Sequence, residues 1–178
     1  MGLKKMFFNS KGLSVIELLI ALSLLGIVLA LGFSYFFFGA NTFRVGETQS
    51  NLQRDIRLTS DFITREVRNV IDLALFDSNF VVPTGGDGNN YIYLNESIII
   101  HIDTSGNVTS RTDNFIEDLS FDIKEVNDRY LLEFVIHGSD DDQEYSLESE
   151  VYLNNITDQG NATKNGTDPM IVLRFTKP

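Results

Sequence analysis

The residue with the most chemistry in this chain is an acid placed at the start of an uncharged apolar run. Glu17 stands in Gly12-Leu13-Ser14-Val15-Ile16-Glu17-Leu18-Leu19, and no residue from Leu18 to Phe38 is charged. An ionised carboxylate in hydrocarbon costs about 2–3 kcal/mol unless something partners it. One use for it is local: Ser14-x-x-Glu17 fits a capping box, in which the carboxylate reaches back to a free backbone N–H. Elsewhere reactive types are sparse. There are no cysteines, so neither disulfides nor thiolate chemistry enter. His101 and His137 are the two histidines, and neither has an H-E-x-x-H or cysteine partner, which argues against a metalloenzyme. No G-x-S-x-G or P-loop is present. Gly85-Gly86-Asp87-Gly88 opens no helix after a parallel strand and reads as a loop. Asp140, Asp141, Asp142 and Glu144 offer oxygens to calcium. Consecutive carboxylates converge on one ion only in a sharply curved loop, so a solvated acidic turn is the preferred reading. No cofactor and no enzyme are expected.

The elements that must position Glu17 follow from the pattern around it. At about 1.5 Å per residue, the uncharged run forms a helix about 32 Å long, the thickness of a bilayer core. Only Lys4, Lys5 and Lys11 are charged before Gly12, and a basic leader ahead of an apolar helix predicts a cytoplasmic N-terminus. The net charge is −11; from Leu13 onward, 11 basic residues face 25 acidic ones. That acidity disfavours binding to nucleic acid or anionic lipid surfaces. A secretory signal would need a shorter apolar core and a small-x-small cleavage site, which Phe36-Phe37-Phe38-Gly39-Ala40 does not supply. A plain anchor explains the length and the charge bias but gives Gly12 and Glu17 no task.

The stretch Gly12–Leu19, preceded by Lys11, resembles the processing site of type IV pilins and type II secretion pseudopilins. The resemblance implies cleavage by a prepilin peptidase between Gly12 and Leu13, with N-methylation of Leu13. Leu13 departs from the phenylalanine usual at that place. The resemblance also implies that Glu17 pairs with the freed α-amine of a neighbouring subunit during assembly. Gly26 and Gly32, inside the apolar helix, admit either close packing against another membrane helix or local unwinding. The proline common in the family's helix is absent, and Ser34 stands there.

Beyond the membrane half, Leu52, Ile56, Ile63, Val67 and Val70 recur at helical spacing, with Phe62 and Ile71 beside them. Arg54, Arg57, Asp61, Arg65, Arg68 and Asp72 fall largely on the other face, where Arg57–Asp61, Asp61–Arg65 and Arg68–Asp72 are four apart. That charged face admits solvation or a lateral contact between subunits. The segment from Asn51 to Arg68 is similar to the matching stretch of J-type pseudopilins, W-type minor pilins and F-type competence pilins. After Pro83 the period falls to two. Strands are expected over Tyr91–Leu94, Ser97–Ile102, Leu119–Val126, Tyr130–His137, Tyr145–Leu153 and Met170–Thr176. Phe121, Ile123, Val126, Leu132, Phe134 and Ile136 form the expected core face, Asn127-Asp128-Arg129 a hairpin tip, and 154–169 a surface loop. Five N-x-[ST] sites start at Asn95, Asn107, Asn155, Asn161 and Asn165; chance matches in Asn- and Thr-rich loops are the preferred reading.

The expected fold is α+β and pilin-like, a long helix packed on an antiparallel sheet. Its parts are a leader over 1–12, a membrane half over 13–40, an amphipathic half over 41–75 and a β-rich domain over 76–178. The resemblance implies a structural minor subunit of a pilus or pseudopilus, initiating or capping it. Its implied partners are the peptidase, other pilin subunits, an inner-membrane assembly platform and lipid, with no direct contact to nucleic acid. The alternative is an uncleaved, membrane-anchored binding domain acting as an adhesin or sensor.

Overall fold

A computed structural model describes residues 14–178. The implied cleavage site at Gly12 and Leu13 lies outside the described residues. The chain divides into two compact units, one ending at Arg44 and one covering Val45–Pro178. A single helix, α1 (Val15–Val67), belongs to both and runs without a break through Gly26, Gly32, Gly39 and Gly46.

In the first unit α1 is apolar on all sides. Every described residue up to Arg44 is exposed. It is the one helix among the described residues that is long and apolar enough to cross a membrane. Its serine and threonine hydroxyls are satisfied internally: Ser23, Ser34 and Thr42 donate to the carbonyls of Leu19, Ala30 and Phe38 at 2.8–2.9 Å. A segment with no water around it needs this internal pairing.

In the second unit α1 is amphipathic. Leu52, Ile56, Ile63 and Val67 are fully or almost fully buried, as the spacing predicts. The helix nevertheless stops at Val67, short of the expected end at 75. Ile71 donates its N–H to Thr176 at 2.9 Å, and the chain enters β1 (Asp72–Phe76). Eight further strands follow: β2 (Asn90–Asn95), β3 (Ile98–Ile102), β4 (Val108–Ser110), β5 (Ile116–Val126), β6 (Arg129–Asp140), β7 (Gln143–Tyr152), β8 (Ala162–Asn165) and β9 (Val172–Thr176). They form two sheets rather than one. The larger has the order β4-β3-β2-β9-β1-β8, and the smaller is the meander β5-β6-β7. All ladders are antiparallel except β1–β8, which is parallel.

All six expected strands form. β1, β4 and β8 were not expected, and β8 with a short 3-10 turn (Gln159–Asn161) occupies part of the anticipated 154–169 loop. The β5–β6 tip is a two-residue turn at Asn127-Asp128, both with left-handed φ; Arg129 already pairs with Val126. On the expected core face Phe121, Leu132, Phe134 and Ile136 are buried, and Ile123 packs against them. Val126 does not join them and is 38% exposed. Alternation explains this: Phe121 and Ile123 share one side of β5, and an even-numbered residue must face the other.

One glycine sets the distance between helix and small sheet. Gly138 in β6 lies under α1, and an added Cβ would stand 3.0 Å from Ile56 Cδ1 and 3.2 Å from Leu52 Cδ1. The core continues through Leu119, Leu173, Phe175, Ile92 and Ile99, so both sheets close on the same helix face.

Candidate functional site

The start of α1 is built by Ser14. Its Oγ accepts the N–H of Ile16 at 3.2 Å, and its carbonyl accepts the N–H of Leu18 at 3.1 Å. Ser14 is therefore the N-cap, and Glu17 stands at the third helical position. Among the described residues no donor meets the Glu17 carboxylate, so only the serine half of the expected capping box is made. A carboxylate in the first turn is favoured by the helix dipole, yet it borders a surface of exposed Val15, Ile16, Leu18 and Leu19. The first turn thus presents a carboxylate that meets no donor among the described residues, at the edge of an exposed apolar rod. Such a rod must be covered by lipid or by other chains.

The outer face of α1 in the second unit carries Arg54, Arg57 and Arg65, with Arg68 in the turn just after it; all four are exposed, with Leu58 among them. The expected i,i+4 pairs are largely replaced by other contacts. Asp72 is on β1 and receives a 3.0 Å bond from Arg174, not from Arg68. Arg57 turns to Tyr145 of β7, its Nε donating to the hydroxyl at 3.4 Å, and Arg54 pairs with its neighbour Asp55 at 3.0 Å.

The two histidines lie apart. His137, in β6, meets Glu117 at 3.2 Å. His101, in β3, is buried between Phe62 of α1 and Phe175 of β9. The Arg111 guanidinium lies 3.9 Å over the Phe62 ring and donates to His101 Nδ1 at 3.0 Å. A guanidinium only donates, so Nδ1 accepts and Nε2 carries the proton of the neutral ring. Nε2 is buried with no partner. Burial first, and then the Arg111 charge, hold the His101 pKa below the ordinary imidazole value. Local spacing gave no signal for this group, because hairpin pairing and helix packing bring its members together.

Asp140, Asp141, Asp142 and Glu144 sit at the β6–β7 turn, where Asp140 opposes Gln143 and Ser139 opposes Glu144. Among the described residues no group of three or more His, Asp or Glu side chains converges to hold a metal. The glycine-rich stretch is a loop, as expected, laid against the turn after β3: a Cβ on Gly86 would stand 2.6 Å from the backbone of Ser105. Beside it Tyr91 donates to Asp87 at 2.6 Å. Burial, with that bond next, pushes the Tyr91 hydroxyl up to about 12.

No protein-family model and no curated protein matches the chain. Its fold, however, is found among solved structures. The PilB minor pilin from Streptococcus sanguinis superposes with a TM-score of 0.59 at 14% identity, over 72% of this chain and 34% of that one. A mutant of the same minor pilin gives a TM-score of 0.55 at 14% identity, over 72% of this chain and 35% of that one. The match thus spans about a third of the length of those proteins. The fold is pilin-like.

Proposed function

We propose that the chain is a structural minor subunit of a type IV pilus-like or pseudopilus filament. It enters the cytoplasmic membrane as a precursor, with its N-terminus inside and residues 45–178 outside. A prepilin peptidase cuts between Gly12 and Leu13, and Leu13 is methylated. The freed α-amine of one subunit then meets the Glu17 carboxylate of its neighbour, and an assembly platform moves the pair out of the lipid. The subunit initiates or caps the fibre and carries out no reaction.

The observation that carries this reading is the position of Glu17. It is the one charge in the apolar part of α1, it stands in the first turn, and no described donor meets it. An ion so placed costs free energy in the membrane and recovers it only when a cation arrives. The pilin-like fold supports the reading, because the same helix continues into the core of the head.

The test is Glu17→Val in the native host. Removing the charge leaves membrane insertion intact or improves it, and incorporation into filaments falls. Normal incorporation of this variant would refute the role given to Glu17.

A further inference from the structure

The head of this chain carries a basic stripe on one layer and an acidic face on another, and among the described residues each is only partly paired. The stripe is on α1. Arg54, Arg57 and Arg65 fall on one side of the helix, opposite buried Ile56 and Ile63, and Arg68 follows in the turn after it. Among the described residues Arg65 and Arg68 have no ion-pair partner. With Asp61, Thr64 and Asn69 they line a shallow groove on this face. Exposed Leu58 supplies an apolar centre between the two arginine pairs.

The acidic face is the outer side of the β5-β6-β7 meander. Register places Asp122 opposite Glu133 and Glu133 opposite Glu150, three carboxylates in one row across the sheet. Like charges directly opposite one another oppose the pairing of their strands. The chain answers part of this: Lys124 meets Glu133 at 2.6 Å, and Lys164 meets Asp122. Lys124 responds as expected, its pKa raised chiefly by the Glu133 contact. Among the described residues Glu150 is left without a direct ion pair, and on the same side of β7 Glu148 and Glu144 have none either. Lys124 and Lys164 thus face three carboxylates, and the row keeps one negative charge in excess among the described residues.

We propose that the arginine stripe of α1 in one copy docks on the acidic outer face of the β5-β6-β7 sheet of a second copy. This rests on the filament-subunit reading above and names the surfaces by which heads meet. Three observations select the occupant. First, the charges are complementary within one chain, so a second copy brings the matching surface. Second, the spacings agree. The pairs Arg54/Arg57 and Arg65/Arg68 are centred about 16 Å apart at ~1.5 Å per residue. The Glu148/Glu150 pair and Glu144 are also about 16 Å apart at ~3.3 Å per residue. Third, one copy cannot satisfy itself, because the inner faces of helix and sheet pack on each other at Gly138 and turn the outer faces apart. A nucleic acid or an anionic lipid is a poorer fit, since Asp61 interrupts the stripe and the whole chain carries −11.

The test uses the absence of native cysteine. Full-length chains carrying Arg65→Cys are co-expressed in the native host with chains carrying Glu150→Cys, and treated with a short bismaleimide. Arginine–glutamate contacts hold Cβ atoms farther apart than the ~3.8 Å of a disulfide, so a spacer is needed. The expected result is a covalent dimer in the mixture and none with either variant alone. In parallel, Arg65→Glu with Arg68→Glu lowers incorporation at least tenfold, and supplying chains with Glu148→Arg and Glu150→Arg restores it. Processed chains that assemble without the mixed dimer would overturn this contact and leave the subunit reading standing. So would a cross-link from Arg65→Cys to a different subunit only. Chains that are neither trimmed nor assembled would overturn both.

Discussion

Substituting Gly138 by alanine tests the packing that joins α1 to the small sheet. Two effects oppose each other. Glycine inside a strand weakens it by roughly 0.5–1 kcal/mol relative to alanine, and Gly138 lacks the left-handed φ that would require glycine, so alanine alone should stabilise. Against this, the new Cβ meets Ile56 Cδ1 at 3.0 Å, the Phe115 carbonyl oxygen at 3.1 Å and Leu52 Cδ1 at 3.2 Å. The two methyl ends can rotate away by a few tenths of an ångström. The carbonyl cannot, because it accepts the Ser139 N–H at 2.8 Å. Overpacking of this kind costs about 1–3 kcal/mol, which exceeds the strand gain. We therefore expect Gly138→Ala to destabilise the head by about 1 kcal/mol and Gly138→Val by more. Gly85→Ala, in open space, is the neutral control. The assay is urea unfolding of the full-length chain in detergent, followed by far-UV circular dichroism, with the slope checked for constancy. Equal or greater stability of Gly138→Ala would mean that helix and sheet are not in the contact described.

His101 predicts a pH dependence. Its proton affinity is lowered in the folded state, so the unfolded chain binds the proton more readily, and stability falls as pH drops below about 6.5. The groups around it act in both directions, Arg111 and Lys177 against the proton, Glu66 and Asp103 for it. His101→Phe should flatten the difference in stability between pH 7.5 and pH 5.5; an unchanged difference in that variant would remove His101 as its source. Thr112 is buried and its Oγ1 accepts the Ile99 N–H at 3.0 Å. Thr112→Val should cost about 1–3 kcal/mol by stranding that donor, read by the same unfolding assay; no loss would show the N–H satisfied elsewhere.

The sequence displayed what local pattern controls and hid what distant pairing controls. The apolar half of α1, Leu52 to Val67 and the six expected strands each carry their own period, and each forms. Asp72-Leu-Ala-Leu-Phe has no β-branched residue and continues the spacing of Val67 and Val70, so it reads as helix. Pairing with β9 on one side and β8 on the other makes it a central strand. β8, Ala-Thr-Lys-Asn, is polar and short; its parallel partner lies some ninety residues earlier, and nothing within it announces that contact. The same division holds for the candidate sites. Glu17 is legible because its meaning depends on neighbours in sequence. The row Asp122–Glu133–Glu150 and the His101–Arg111–Phe62 group exist only once the register is known.

The central claim is that a severed peptide bond supplies the cation for Glu17, and the most direct measurement is the mass of the native N-terminus. Chains recovered from filaments or membranes of the native host should begin at Leu13, heavier by one methyl group where the amine is modified. Chains that still begin at Met1 throughout would contradict it and leave a membrane-anchored head whose Glu17 has no amine to meet.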